Sequence, residues 1–477
     1  MLELWAQYLE VLPDLPVWRG QSPEEVRRAM TLPVPDEPLP DQELFTHLHQ
    51  LALEHSVAPG HGGYMAYISG AGTIPGGPAA LLAAAINQNV GGWPLGPAAT
   101  EIETQVLAWF ARGFRLPDTA SGAFVSGGAT ANFMALAVAR AARAGWDVRS
   151  EGVAAGPQLA VYTSHDAHET IDRAWDLLGL GTGTVRRVAT DSRMRLRPDA
   201  LAAAIEDDIA AGIRPLCIVG TAGTTEMGAI DPLDELADLA EEHGCWFHVD
   251  AAYGGPAALV DELRPRFAGI ERADSITCDA HKWMNTPISS SIVLFRDASA
   301  QLATFTLEPD YVKIDAEILA ADVVNRYQWT PQFSRPFDAL TVWVSLLAHG
   351  WEAFARRIIH DVEVASWLHH LVVEHPELEP MHVPELSILC LRYVPEDLRD
   401  DPTAGGYLDD LNERILHALQ SGGRVFPSNA IIEGRYAIRA CLISFRTEAE
   451  DVEALVSETV RIGRGLDAER PPNAAVS

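Results

Sequence analysis

The chain has 477 residues, 48% of them hydrophobic and 21% charged, enough to bury a large core divided among two or three domains. Its 35 Lys and Arg stand against 66 Asp and Glu, a net charge of −31 with a pI near 4.8. That charge excludes a nucleic-acid backbone or an anionic membrane as a general partner and leaves small molecules.

In chain order, residues 1 to about 55 read as helical with proline-rich interruptions such as Leu32–Pro40, an arm with too little core to fold alone. Residues 56–78 carry seven glycines, which suits a close backbone approach better than regular structure. Pro78–Asn89 and Thr100–Phe114 are expected as helices on either side of the break Gly91–Gly96. From about 120 to 300 strands alternate with helices. The expected strands are Gly122–Ser126, Leu159–Thr163, Leu216–Gly220, Trp246–Asp250, Ser275–Cys278 and Ser291–Phe295, the signature of an α/β domain on a largely parallel sheet. Residues 350–374 form a long amphipathic helix, and strands at Ser387–Tyr393 and Tyr436–Ile443 flank a helix Gly406–Gln420, a smaller α+β domain. The tail Asp467–Ser477, with Pro471 and Pro472, reads as disordered. Domain boundaries are drawn at 1–95 (N-terminal helical arm), 96–345 (large domain), 346–466 (small domain) and 467–477 (tail). Five cysteines show no C-x-x-C spacing, the first ten residues carry no basic leader, and charges or glycines interrupt every apolar stretch before it reaches membrane-spanning length. A reducing, cytoplasmic location is expected, and no metal ligands are assigned.

Only two of the 35 basic residues are lysines, Lys282 and Lys313, and only a lysine amine can be tuned into a carbonyl-reactive nucleophile. Lys282 follows the expected strand Ser275–Cys278 and the polar trio Asp279, Ala280 and His281, so its amine lies at a strand's end, where α/β sites are built. Three other features belong with it. The turn Val125–Asn132 joins a strand to an alanine-rich helix whose N–H groups and dipole suit a phosphate. Trp246–Asp250 ends an apolar strand on a carboxylate that needs a cationic partner. Ser164–His168 brings two imidazoles to a sheet edge. A phosphate cradle, an acid for a ring nitrogen, a flat side chain for a ring face and an imine-forming lysine are together the needs of pyridoxal 5′-phosphate.

These residues resemble the group II pyridoxal-phosphate decarboxylases, the family of aromatic-amino-acid and glutamate decarboxylases, over roughly residues 20 to 455. The most specific pieces are His248–Tyr253 and Asp279–Trp283, supported by Ser164–His168, Gly223–Thr225 and Pro97–Glu101. The resemblance implies the aspartate-aminotransferase-like fold type I, a homodimer with an N-terminal arm wrapped on the partner, and an amino-acid-type substrate. It implies that Lys282 is the internal-aldimine lysine, that Asp250 faces the pyridine nitrogen, and that His168 and Ala252 take the two ring faces. Gly128, Ala129 and His281 would hold the phosphate, and Thr224 would orient the ring's substituents. Lys313 falls in a segment resembling the start of the family's mobile catalytic loop. Arg439 is open to two readings, an anchor for a substrate carboxylate or a structural ion pair.

Departures from the family fall where it decides substrate and outcome. Arg326 aligns with the tyrosine that protonates the carbanion after CO₂ leaves, and Tyr327 is one place away. Gly91 stands where aromatic-substrate enzymes have a ring, Ser69 replaces a proline and Ser289 an aspartate, while Tyr67 and Trp93 are retained as aromatic walls. A wider, differently polar pocket is expected. Two activities follow from the resemblance. The first is decarboxylation of an L-amino acid or conjugate through a substrate aldimine and quinonoid. The second is decarboxylation coupled to oxidative deamination, giving an aldehyde. A non-catalytic cofactor-binding homologue is the third reading.

Overall fold

The computed structural model describes residues 2–307 and 323–470; Lys313 and residues 471–477 of the tail lie outside these. The chain divides into two compact units, residues 72–359 and residues 1–71 with 360–477. The divisions therefore fall after Ala71 and within the helix Trp351–Glu374, where the sequence had suggested 95 and 345.

The larger unit is built on seven strands: β1 (Ser121–Val125), β2 (Leu159–Ser164), β3 (Val185–Val188), β4 (Arg214–Thr221), β5 (Trp246–Asp250), β6 (Ser275–Asp279) and β7 (Ser291–Phe295). They lie in the order β1-β7-β6-β5-β4-β2-β3, and only β7 runs against the rest. Six of the seven were legible as apolar runs. The seventh, β3, reads Val-Arg-Arg-Val because it is an edge strand with one side open to solvent, and it has no apolar signature. Helix Gly128–Arg143 lays Ala131, Met134, Ala135 and Val138 on the sheet, where Trp175 and Phe295 are also wholly buried. Alanines let the helix approach closely, and each large apolar side chain so buried contributes about 1.5–3 kcal/mol.

Because β1, β2, β4, β5 and β6 point the same way, their C-terminal ends share one edge of the sheet. Register completes the arrangement: Thr221 pairs with Asp250, and Asp250 with Thr277.

In the smaller unit, Ile388–Tyr393, Phe426–Ile432 and Arg435–Cys441 form an antiparallel sheet under helices Gly405–Gly422 and Ala449–Asp467. Phe426–Ile432 was not among the expected strands; Pro427, Ser428 and Asn429 are residue types that favour turns over strands. The first segment is anchored here. Tyr64–Met65 pairs parallel with Phe426–Pro427, Tyr64 stacks on Phe426 at 5.8 Å, and Val17 is buried with them. Helices Leu2–Val11, Pro23–Met30 and Asp41–His49 bury no residue within this chain, in keeping with an arm that lacks its own core. Arg439 is 3% exposed, and its Nη1 donates to the Tyr67 carbonyl at 3.0 Å and to Ser428 Oγ at 3.2 Å.

Candidate active site

The loops beyond the shared strand edge enclose a cavity of about 280 Å³ lined by Gly128, Ala129, His168, Asp250, Ala252 and Lys282, together with Asn132, Thr170, Thr221, Thr225 and Asp279. The six expected members come from four strand ends, Ala252 lying just past Asp250. Gly128 and Ala129 open the helix that follows β1, His168 follows β2, Asp250 ends β5 and Lys282 follows β6.

Lys282 is half-buried, with Nζ 3.2 Å from Asp279 Oδ2. Asp279 is 1% exposed, and its other oxygen, Oδ1, has no hydrogen-bond partner among the described residues. Asp250 is 8% exposed; its Oδ2 accepts from Asn132 Nδ2 at 2.8 Å and its Oδ1 from the Ala252 N–H at 3.1 Å. Both donors are neutral, so the buried carboxylate is solvated by the protein while its charge stays unmatched by any Lys or Arg among the described residues. His168 sits on the exposed rim, where Nδ1 accepts the Thr170 N–H at 3.1 Å and faces Thr170 Oγ1 at 3.2 Å, leaving Nε2 for the proton. The first-turn N–H groups at Gly128 and Ala129 open a 16-residue helix whose dipole favours an anion. A side chain at Gly127 would meet nothing within 4 Å, whereas one at Gly128 would come within 2.9 Å of Asp279. The backbone there is thus open on the cavity side and tight on the protein side.

Other expected residues lie elsewhere. Thr224 does not line the cavity. It is buried, and its Oγ1 accepts the Ala229 N–H at 3.0 Å, bracing the turn that carries Gly223 and Thr225. His281 is also off the lining, with Nε2 3.8 Å from Asp279 Oδ2 and Nδ1 3.5 Å from Ser291 Oγ; burial lowers its pKa against the pull of Asp279. Arg326 is 4% exposed and points into a different cluster. Its Nη1 donates to the Gly122 carbonyl at 3.0 Å, its Nη2 to Thr104 Oγ1 at 2.6 Å, and its Nε lies 3.7 Å from Glu103, which Arg335 grips through both nitrogens at 2.9 and 3.1 Å. Tyr327 is 9% exposed, stacks on Phe333 at 5.6 Å and donates its N–H to the Gly91 carbonyl at 2.8 Å.

Of the expected pocket walls, Gly91 is filled from behind. A Cβ there would stand 1.9 Å from the Phe333 carbonyl oxygen, so the missing ring at this position leaves no void. Trp93 donates Nε1–H to Glu101 at 2.8 Å. Tyr67 is 62% exposed with a left-handed backbone, φ 54°, and Ser289 is left-handed too, φ 75°. Ser69 is half-buried and hydrogen-bonds the Tyr64 hydroxyl.

Asn132 and Thr170 carry much of the site's hydrogen bonding and were not singled out from the sequence, whereas Asp279, which holds the amine, was named there only as part of the strand-end motif. Asn132 did leave a signal, as a polar residue on the otherwise apolar buried face of helix Gly128–Arg143.

The chemistry of these donors fits pyridoxal 5′-phosphate: a helix N-terminus for the phosphate, an uncompensated buried carboxylate for a ring nitrogen that carries a proton, and an amine lining the same cavity. Comparisons with known proteins point the same way. The family described as "Pyridoxal-dependent decarboxylase conserved domain" matches residues 23–394. An aromatic-L-amino-acid decarboxylase of Bacillus atrophaeus is 31% identical over 470 residues, covering 98% of this chain and 95% of that protein. An L-2,4-diaminobutyrate decarboxylase of Rhizobium meliloti is 33% identical over 418 residues, covering 87% and 81%. Among solved structures, Oryza sativa TDC with PLP and tryptamine superposes with a TM-score of 0.90 at 25% identity, covering 98% of this chain and 96% of that one. The strand order, the donors at its edge and these matches agree: the chain belongs to the pyridoxal-dependent decarboxylase family, with fold type I architecture and pyridoxal phosphate as cofactor, and is an amino-acid carboxy-lyase.

Proposed function

We propose that Lys282 attaches the cofactor through its amine, that Gly128 and Ala129 hold its phosphate, that Asp250 faces its ring nitrogen, and that His168 and Ala252 take its two faces, for release of CO₂ from an L-amino acid. The observation that carries this reading is Asp250, a buried carboxylate with two neutral donors and no cation, at the same strand edge as the amine of Lys282. Bound there, pyridoxal phosphate supplies an electron sink for the pair left behind when the carboxylate departs. The protein's part is to keep a negative charge beside the ring nitrogen, to hold the ring flat between His168 and Ala252, and to deliver a proton where CO₂ leaves. Arg326 is committed to Glu103 and is a poor acid in any case, so the proton falls to Tyr327, His168 or water. That same observation favours a second outcome, slower protonation with capture by O₂ and an aldehyde product.

We further propose a homodimer in the cytoplasm. Helix Gly76–Ile86 is apolar all round yet leaves Leu81, Leu82 and Ile86 about half exposed, and Leu44 and Phe45 of the first segment are exposed as well. The five cysteines are buried thiols, which fits a reducing compartment.

The test follows amine, aldehyde, O₂ and peroxide during turnover under air, with Tyr327→Phe and Lys282→Ala alongside. Lys282→Ala is expected to lose both the visible absorbance of bound cofactor and all turnover. Amine formed without O₂ uptake, and reduced about 10²-fold or more in Tyr327→Phe, supports decarboxylation with Tyr327 as donor. Stoichiometric O₂ uptake with aldehyde replaces it with the oxidative reading. Full absorbance in Lys282→Ala refutes the lysine assignment.

A further inference from the structure

Behind the cavity wall runs a chain of buried polar side chains that cofactor contact does not account for. Asn132 is 1% exposed and stands at its centre. Its Nδ2 donates to Asp250 Oδ2 at 2.8 Å and to Thr170 Oγ1 at 3.1 Å. Its Oδ1 accepts from Thr277 Oγ1 at 2.8 Å and faces His248 Nε2 at 3.1 Å. Every hydrogen-bonding site of the amide is used.

The chain has one direction. The Trp246 indole can only donate, and it donates to Ser275 Oγ at 2.8 Å; His248 Nδ1 lies 2.9 Å from that oxygen and 3.2 Å from the Ser275 carbonyl oxygen. Burial holds the His248 imidazole neutral, lowering its pKa to about 4 against the pull of Asp250. The Asp250 carboxylate can only accept, so Asn132 turns its NH₂ toward it and its Oδ1 back, and a neutral His248 facing that oxygen carries its proton on Nε2 and takes the Ser275 hydroxyl proton at Nδ1. With His248 and Thr277 both donating to that oxygen, the amide can present only its NH₂ forward, to Asp250 and to Thr170. Thr170 in turn holds His168 Nδ1 through its hydroxyl and its N–H. One side chain therefore orients the carboxylate proposed for the ring nitrogen and the imidazole proposed for the ring face.

We propose that Asn132 is a positioning residue for the cofactor, its amide set from behind by His248 and Thr277 so that Asp250 is kept a hydrogen-bond acceptor toward the ring nitrogen and His168 keeps its proton on Nε2. The inference rests on the reading that Asp250 faces the cofactor ring. Asn132→Asp keeps shape and puts two carboxylates at 2.8 Å, which share a proton at low pH and release it as pH rises. Asn132→Leu keeps bulk and removes the donor at every pH. Lys282, Asp279 and His168 are the other acidic or basic side chains lining this cavity, with His248 behind it, and they are common to both variants, so the contrast between the two isolates the amide.

The experiment measures the cofactor dissociation constant by diluting holoenzyme and following its visible absorbance at pH 6.5 and 8.5. It compares wild type, Asn132→Asp, Asn132→Leu, Thr277→Val and Asp250→Asn. Asn132→Asp is expected to bind at least tenfold more weakly at pH 6.5 and to recover several-fold by pH 8.5. Asn132→Leu should lose about tenfold at both, and Thr277→Val, which loosens the amide without removing it, about threefold. Equal losses in Asn132→Asp and Asn132→Leu at both pH values mean a merely structural residue and overturn the proposal. Wild-type affinity in the Asn132 variants beside weak binding in Asp250→Asn overturns it and leaves the Asp250 reading standing. Wild-type affinity in Asp250→Asn overturns both. If the Asn132 variants do not fold, Thr277→Val decides, and wild-type affinity there is the overturning result.

Discussion

Asp231 illustrates how a residue outside the cavity sets its geometry. Its carboxyl is 2% exposed, with Oδ1 accepting the Leu196 N–H at 2.7 Å and Oδ2 the Thr221 N–H at 2.8 Å, so it ties down the end of β4, where Thr221 lines the cavity. Burial, partly offset by those two N–H groups and reinforced by Asp166 and Asp191, pushes its pKa up to about 7. The folded chain therefore keeps a proton that the unfolded chain has released above about pH 4. Its stabilising contribution is full at low pH and is lost as pH rises through 7. Asp231→Asn cannot titrate there. Its stability relative to wild type is expected to improve by about 2 kcal/mol between pH 5.5 and pH 8, read from denaturant midpoints at the two pH values. An unchanged difference would mean that Asp231 is charged throughout. At the same scale, Lys282, Asp250 and Asp279 were in view in the sequence because their motifs sit at strand ends. Asn132 and Thr170 were not, since their importance is a matter of partners and not of residue type.

At the scale of elements, the segment Asn325–Arg335 is fastened at both ends to one carboxylate. Arg326 and Arg335 converge on Glu103 of helix Pro97–Gly113, and they also donate to the β1 carbonyls of Gly122 and Phe124. Between them lie Tyr327 and Phe333, stacked on each other, with Gly91 beneath. All three charged groups are nearly without solvent, so removing the carboxylate strands two guanidinium groups. Glu103→Gln is expected to cost about 3–5 kcal/mol of stability and to raise amide hydrogen exchange over 325–335 more than in β4 or β5. Uniform exchange across these elements would show that the clamp is not local. The alignment of Arg326 with a proton donor was a reading of position along the chain. Its burial beside Glu103 depends on a residue more than two hundred places earlier, which no local pattern carries.

For the whole molecule, the expected assembly rests on apolar surface that one chain leaves uncovered. Leu82 on helix Gly76–Ile86 is 52% exposed and makes no claim on the core of its own unit. Leu82→Glu is expected to leave the monomer folded and to shift light-scattering mass from dimer to monomer, because a charge cannot be buried in an apolar contact without cost. A dimer mass unchanged down to nanomolar concentration would remove this helix from the interface. Among the described residues no helix is long and apolar enough to cross a membrane.

The sequence by itself determined the fold class and the cofactor, and it singled out Lys282 as the lysine proposed to hold that cofactor. Apolar runs of strand length, the polar residues that end them, and a single lysine at such an end are local patterns, and the chemistry of each residue type can be read without knowing its neighbours. Tertiary structure alone decided that Phe426–Ile432 is a strand despite its proline and asparagine, that the space at Gly91 belongs to the Phe333 carbonyl, that Arg326 serves Glu103, and that Asn132 joins Asp250 to His248. The last three are pairings between residues more than a hundred places apart, and the strand is held by Arg435–Cys441 beside it and by the distant Tyr64–Met65; a hydrogen bond or a steric contact exists only once both partners have been brought to the same place.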